Sequence, residues 1–113
     1  MVEKKYKLTK ESIKFNGKKL YRIEALKDFA DVKKGEKGGF IESESNLSHD
    51  GDAWVSDNAK VFGNANVSGD VCVTENAKVY GDAILYGDVD VCGYAHIDDN
   101  VMSQFVHTFK NIG

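Results

Sequence analysis

The 113-residue chain is 42% hydrophobic, which suffices for one domain with a small core, and Cys72 and Cys92 form no metal-binding motif. No apolar run reaches the roughly 18 residues of a membrane span, and no apolar stretch follows the charged N-terminus, so we expect a cytoplasmic protein with no membrane partner. The net charge of −3 is unevenly divided, because residues 1–38 carry an excess of six positive charges and residues 39–113 an excess of nine negative charges.

Two strand-like runs near the N-terminus are separated by an Asn-Gly pair. Asn16 and Gly17 lie within SIKFNGKKLYRIEAL, and such a pair between strand-like runs is the strongest short-range signal for a β-hairpin. We therefore predict that residues 1–38 form a basic N-terminal hairpin.

A six-residue pattern begins at Gly51 and repeats nine times, through Gln104. The third place of each hexad is Ala or Val, and the fifth is Val, Leu or Ile in all but the last, which has Ser103. Two apolar residues with one residue between them form a short strand with both side chains on one face. The first two places hold mostly Gly, Asp, Asn or Glu, which favour turns.

This pattern resembles that of the hexapeptide-repeat proteins. The resemblance implies an all-β fold, a left-handed parallel β-helix of triangular section in which three hexads make one 18-residue coil. We place this β-helix at residues 39–104 and a C-terminal cap or oligomerisation tail at residues 105–113. Because the open end of a β-helix exposes unpaired backbone groups, we expect the N-terminal hairpin to cap it.

The lead-in LYRIEALKDFADVKKGEKGGFIESE is similar to that of a subgroup of hexapeptide-repeat proteins from bacteria and their phages. Some members of this subgroup are labelled transferases by analogy of fold. The resemblance therefore implies a phage or prophage context without an established chemistry.

Stacking of the coils places residues 18 positions apart above one another. The residue between the two apolar places of each hexad points outward, which gives one outward column on each of three faces. The columns are Trp54, Cys72 and Asp90 on the first face; Lys60, Lys78 and His96 on the second; and Asn66, Ile84 and Met102 on the third. The cysteines differ by 20 positions, which places them about 8 Å apart, so we expect free thiols.

The second column is basic within an acidic body. Lys60, Lys78 and His96 are candidates for binding a small anion such as a nucleotide, and the basic N-terminal segment lies before them in the chain. The alternative is that they are ordinary solvated side chains. No helical recognition motif is present, so sequence-specific DNA binding is not expected.

Large apolar side chains at outward positions predict an interface, since the repeat geometry itself does not bury them. We expect a homo-oligomer, a trimer first and a dimer second, unless a terminal segment covers the patch. The predicted interface residues are Phe62, Tyr80, Ile84, Tyr86, Met102, Phe105 and Phe109.

Three functions are consistent with these features. We favour a non-catalytic oligomeric binding module of phage type, which sequesters or inhibits a host protein or a small anionic ligand. The alternatives are a trimeric acyltransferase-like enzyme, for which the resemblance implies a histidine base, and a structural β-helical part of a phage particle. The histidines at 49, 96 and 107 form no HxxxxH pair, so we predict no metal, no cofactor and no assigned catalytic residue.

Overall fold

The computed structural model describes residues 4–98 and the backbone of residues 107–111. Nearly all of its regular structure is β. A long hairpin comes first, followed by a short 3-10 helix and a series of very short strands. The strands are β1 (Tyr6–Phe15), β2 (Lys18–Ala25), β3 (Lys37–Ile41), β4 (Trp54–Val55), β5 (Lys60–Val61), β6 (Asn66–Val67), β7 (Cys72–Val73), β8 (Lys78–Val79), β9 (Ile84–Leu85), β10 (Val89–Gly93), β11 (His96–Ile97) and β12 (His107–Asn111), and the 3-10 helix is Glu44–Asn46.

The predicted N-terminal hairpin is confirmed. β1 pairs antiparallel with β2, and the turn between them has positive φ at Asn16 (51°) and Gly17 (77°), as a two-residue hairpin turn requires. β2 then pairs antiparallel with β3, and β3 pairs in parallel with β5. The hairpin therefore extends one sheet of the repeat, in the order β1-β2-β3-β5-β8-β11.

The hexads stack as a parallel β-helix of about three turns, which confirms the predicted fold class. On the first face β4, β7 and β10 pair in parallel, on the second β5, β8 and β11, and on the third β6 and β9. Every pair has the predicted spacing of 18, as in Lys60 opposite Lys78 and Asn66 opposite Ile84.

The parallel stack continues beyond the boundary predicted at residue 104. β12 pairs with β10 at the same spacing, with His107 opposite Val89 and Phe109 opposite Val91. This backbone is another strand of the first face, and it lies in the segment that the sequence analysis assigned to a C-terminal cap or oligomerisation tail. Met102 and Phe105 lie outside the described residues.

The core consists of the inward side chains of each hexad. Every described third-place and fifth-place residue is buried, and Val55, Val61, Val73 and Val79 are fully buried. Small aliphatic side chains are used throughout because the triangular section leaves little space between the three faces.

The first residue of each described hexad has positive φ, and most of these residues are glycine. At Gly69 a Cβ atom would lie 2.8 Å from the backbone nitrogen of Gly87, so the next coil is too close for a side chain. Asp57 and Glu75 are the exceptions, with φ of 56° and 59°. Their carboxylates accept the backbone N–H groups of Glu75 (3.2 Å) and Gly93 (2.7 Å), which compensates for the unfavourable φ.

The first coil has carbonyl groups that the repeat cannot pair. Backbone N–H groups donate to the following coil, as from Trp54 to Val71 O (3.0 Å), so the carbonyls of the first coil point away from the stack. Lys5 covers part of this edge. Its fully buried side chain donates from Nζ to Gly51 O (3.2 Å) and Ala53 O (2.6 Å). Burial lowers the pKa of Lys5 to about 8.

Two further side chains complete the cap. Asn46, also fully buried, donates from Nδ2 to Gly63 O (3.3 Å) and Ala65 O (2.8 Å) at the next corner. Arg22 donates from Nη1 to Gly38 O (2.6 Å). The N-terminal segment therefore caps the β-helix with strands on one face and with individual side chains elsewhere, which satisfies backbone groups that burial would otherwise leave unpaired.

Candidate functional site

The basic column lies where the sequence placed it. Lys60, Lys78 and His96 occupy successive strands of the second face in direct register. The two lysines are half-buried and His96 is exposed. The column begins directly below Phe40 of β3, which is opposite Lys60.

The tip of the N-terminal hairpin covers the two lysines. The Phe15 ring centroid lies 5.4 Å from Lys60 Nζ and 5.7 Å from Lys78 Nζ, within the range of cation–π attraction. The sequence analysis did not identify Phe15 as a site residue. Its position beside the Asn16-Gly17 turn identifies it as the apolar residue at the hairpin tip. The sequence does not indicate which face of the β-helix the tip contacts.

Neither lysine forms an ion pair within residues 4–98. The ammonium groups donate instead to backbone carbonyls, Lys60 to Asn58 O (3.1 Å) and Lys78 to Asn76 O (3.4 Å). Burial and then the positive charge of Lys78 lower the pKa of Lys60. The two charges therefore repel each other at a partly desolvated position.

An aromatic row runs beside the basic column. Phe62 and Tyr80 stack with ring centroids 5.1 Å apart and planes 4° apart, and Tyr80 meets the edge of His96 at 6.3 Å. Phe15 meets the other end of the row, 5.6 Å from Phe62. The site thus combines two ammonium groups, an exposed imidazole and a stacked aromatic surface.

Phe62 is not the exposed residue that the sequence predicted. It is 4% exposed and belongs to a small second core with Leu20 and Phe40, against which Phe15 and the half-buried Tyr80 pack. The N-terminal hairpin therefore covers this part of the predicted patch, because the antiparallel β2-β3 pairing brings its apolar side chains over the second face.

Part of the predicted patch remains accessible on the third face. Ile84 is 38% exposed and Tyr86 is half-buried. Asn66, opposite Ile84, donates from Nδ2 to Ser45 O (2.8 Å). Met102, Phe105 and the side chain of Phe109 lie outside the part of the chain that the structure describes.

The first face is also more covered than the sequence indicated. Trp54 is an outward residue by register, yet it is only 5% exposed. Its ring packs against Phe29 (5.2 Å between centroids) and Tyr6 (6.4 Å). Cys72 and Cys92 are free, as predicted, and burial together with nearby Asp carboxylates raises the pKa of Cys72.

The histidines differ in their availability. His49 accepts the Lys5 backbone N–H at Nδ1 (3.0 Å), so its Nε2 carries the proton and donates to Glu44 Oε1 (2.8 Å). His49 therefore has a structural role in the cap. Of the two histidines whose side chains are described, His96 is the one exposed beside the candidate site.

Comparisons with known proteins found a weak relative. No protein-family model matches the chain. The uncharacterized acetyltransferase YdcK of Escherichia coli is 39% identical over an alignment of 74 residues, and the match covers 58% of this chain and 23% of that protein. The chain thus spans less than a quarter of the length of this relative. No helix among the described residues is long and apolar enough to cross a membrane.

The hexads, the parallel β-solenoid of about three turns and this weak relative are consistent with a hexapeptide-repeat protein. The relative's name is consistent with the acyltransferase-like alternative. It offers no support for a non-catalytic phage module.

Proposed function

We propose that the chain is an acyltransferase-like hexapeptide-repeat module that binds a small phosphate-bearing molecule along the second face. The observation that carries this proposal is the stacking of Lys60 and Lys78 in register, without a carboxylate partner among the described residues. Residues directly opposite one another in neighbouring strands lie about 4.8 Å apart, so an anion between the two side chains would relieve their repulsion.

The surroundings of the lysines support a ligand that is more than inorganic phosphate. The aromatic row that ends at Tyr80 and His96 offers a surface on which a planar base can stack. Burial under Phe15 lowers the local dielectric and strengthens the attraction between ammonium and phosphate. Lys60 and Lys78 are two of the three lysines among residues 39–113, so an anion that approaches this otherwise acidic part of the chain is attracted to their column.

Removal of the two charges tests the proposal. The double variant Lys60→Gln, Lys78→Gln is expected to bind coenzyme A or ATP at least about 10-fold more weakly than the wild type, because each lost phosphate contact is a charge-assisted interaction. Isothermal titration calorimetry at low salt measures the affinities. The matched control is Lys7→Gln, Lys10→Gln, which removes the same charge from exposed positions of β1.

A wild-type protein that binds neither compound contradicts the proposal. Equal weakening in both double variants contradicts it as well, because the effect would then be one of net charge alone.

Acyl transfer is the second candidate function, and the name of the E. coli relative favours it. His96 is exposed beside the lysines and has the chemistry of a general base. Consumption of acetyl-coenzyme A in the presence of an amine, lost in His96→Asn, would assign catalysis to this site. Binding without consumption would assign a sequestering role instead. A phage origin forms no part of the proposal.

We further propose that the third face mediates self-association, in a closed trimer first and a dimer second. Ile84 is exposed on a flat face, and the narrow Ala/Val core leaves the stack in need of additional burial. The pair Ile84→Glu, Tyr86→Glu is expected to convert the oligomer into a monomer with a lower melting temperature, measured by light scattering and thermal unfolding.

The control for self-association is Tyr94→Glu, since Tyr94 is 57% exposed but lies at a corner rather than on the third face. A wild-type protein that is monomeric at high concentration contradicts the proposal.

A further inference from the structure

Strand β1 forms an open edge of the largest sheet. It is the terminal strand in the order β1-β2-β3-β5-β8-β11 and, at 10 residues, the longest of the described strands. Within the part of the chain that the structure describes, β1 pairs with β2 alone. A strand at a sheet edge presents N–H and C=O groups to which another extended chain can bond. The outer side of β1 is therefore a row of backbone donors and acceptors.

The pairing with β2 identifies which peptide groups point outward. Pairs in an antiparallel ladder alternate between hydrogen-bonded and non-hydrogen-bonded. The Ala25 N–H donates to Glu36 O (2.9 Å), on the side of β2 that faces β3, so the pair that Ala25 forms with β1 is not hydrogen-bonded. The alternation then makes Leu8, two residues further along β1, point its peptide groups outward as well. Counted from the two-residue turn, whose flanking pair is hydrogen-bonded, Lys14 and Ser12 do the same.

The exposed side chains along this edge are positively charged. Lys7, Lys10 and Lys14 are exposed, and none of them forms an ion pair within residues 4–98. The one acidic residue of the strand, Glu11, is already bound by Arg22 of β2, with 2.8 Å between Oε2 and Nε. Like charges directly opposite one another destabilise a strand pair, whereas opposite charges stabilise it. The edge therefore disfavours the β1 strand of a second copy and favours a strand that carries carboxylates.

The inner side of the same edge is apolar. The bulge between Leu8 and Ser12 shifts the alternation of side chains, so Leu8 and Ile13 both pack against the buried clusters. Both side chains are only half-buried. Ser12, Ile13 and Lys14 also line a cleft of about 290 Å³ together with Lys19 of β2. Consecutive residues of a strand point to opposite faces, so a cleft that all three line opens at the edge of β1.

We propose that β1 binds an extended segment of a partner protein in which acidic and apolar residues alternate. In such β-strand addition, main-chain hydrogen bonds provide affinity and the alternate side chains provide specificity. Carboxylates of the added strand would lie beside Lys7 and Lys14 on the outer side. Its apolar side chains would lie beside Leu8 and Ile13 on the inner side, since neighbouring strands are about 4.8 Å apart.

The probe is a short fluorescent peptide in which glutamate and valine alternate, and fluorescence anisotropy measures its binding to the full chain. The control peptide has the same residues in two separate blocks, so its charge is identical but its two sides are not distinct. The alternating peptide is expected to bind saturably, and the block peptide at least about 10-fold more weakly. The variant Lys7→Glu, Lys14→Glu is expected to raise the dissociation constant of the alternating peptide at least about 10-fold.

The matched variant is Lys33→Glu, Lys34→Glu, which reverses the same charge at exposed positions between β2 and β3 and is expected to bind as the wild type does. Ser12→Pro removes an outward N–H group while leaving the bonds to β2, and is expected to weaken binding. Circular dichroism verifies that each variant is folded, and the charge variants decide the outcome if Ser12→Pro does not fold.

Three results would each overturn the proposal: no saturable binding of the alternating peptide, equal binding of the block peptide, or equal affinity in the two charge variants. Self-association of the wild type that Ser12→Pro abolishes, without binding of the peptide, would assign the edge to a second copy and overturn it as well. None of these outcomes bears on the basic column, which is tested separately.

Discussion

Replacement of Val73 by Asp is expected to abolish folding. Val73 lies in β7, is fully buried, and is opposite Val55 in the coil before it and Val91 in the coil after it. A carboxylate at this position would have no partner, and an uncompensated buried charge costs about 3–5 kcal/mol. The total stability of a domain is only about 5–15 kcal/mol, and this core is narrow. Circular dichroism during heating should show no cooperative transition.

Two controls separate burial of a charge from other effects of the substitution. Val73→Ala removes two methyl groups at about 0.8 kcal/mol each, so this variant should fold with a lower melting temperature. Lys78→Asp introduces the same side chain at a half-buried outward position of the next strand and should also fold. A cooperative transition of Val73→Asp near that of the wild type would show that the inward assignment is wrong.

Replacement of Asn46 by Ala is expected to cost about 3 kcal/mol, at roughly 1 kcal/mol for each of three backbone groups left without a partner, since the Glu42 N–H also donates to Val61 O (3.2 Å). Asn46 Oδ1 accepts the N–H groups of Glu42 (3.1 Å) and Ser43 (2.9 Å), while Nδ2 donates to Gly63 O and Ala65 O. Because the side chain is fully buried, water cannot replace it without opening the corner. Chemical denaturation measures the loss in free energy of unfolding.

The matched control for this prediction is Asn64→Ala. Asn64 is exposed and makes one side-chain hydrogen bond, from Nδ2 to Asp82 Oδ1 (3.1 Å), so its loss should change stability by no more than about 0.5 kcal/mol. Asn46→Asp retains acceptor oxygens but loses both donors, and is expected to be destabilised as well. Equal stability of the Asn46→Ala and Asn64→Ala proteins would exclude Asn46 as a cap of the first coil.

The position of the basic column and the burial of Trp54 depended on different kinds of information. The basic column follows from the repeat, since a spacing of 18 residues brings Lys60, Lys78 and His96 together whatever else the chain does. The burial of Trp54 does not follow from it, because Phe29, whose ring packs against the indole, lies in the segment between β2 and β3. That segment has no periodicity from which its contacts could be predicted.

The sequence by itself determined the parallel stack, its register and the N-terminal hairpin. The strict hexad recurs in every coil, and the Asn-Gly turn depends only on the two strands that it joins, so both are local signals. Only the tertiary structure decided which outward residues are covered. Phe62 and Trp54 occupy outward places like Lys60, yet the hairpin and the β2–β3 segment bury them. It also decided that Lys5 and Asn46 are buried caps. Those contacts join residues far apart in the chain, and their energies depend on how the whole N-terminal segment packs rather than on any local pattern.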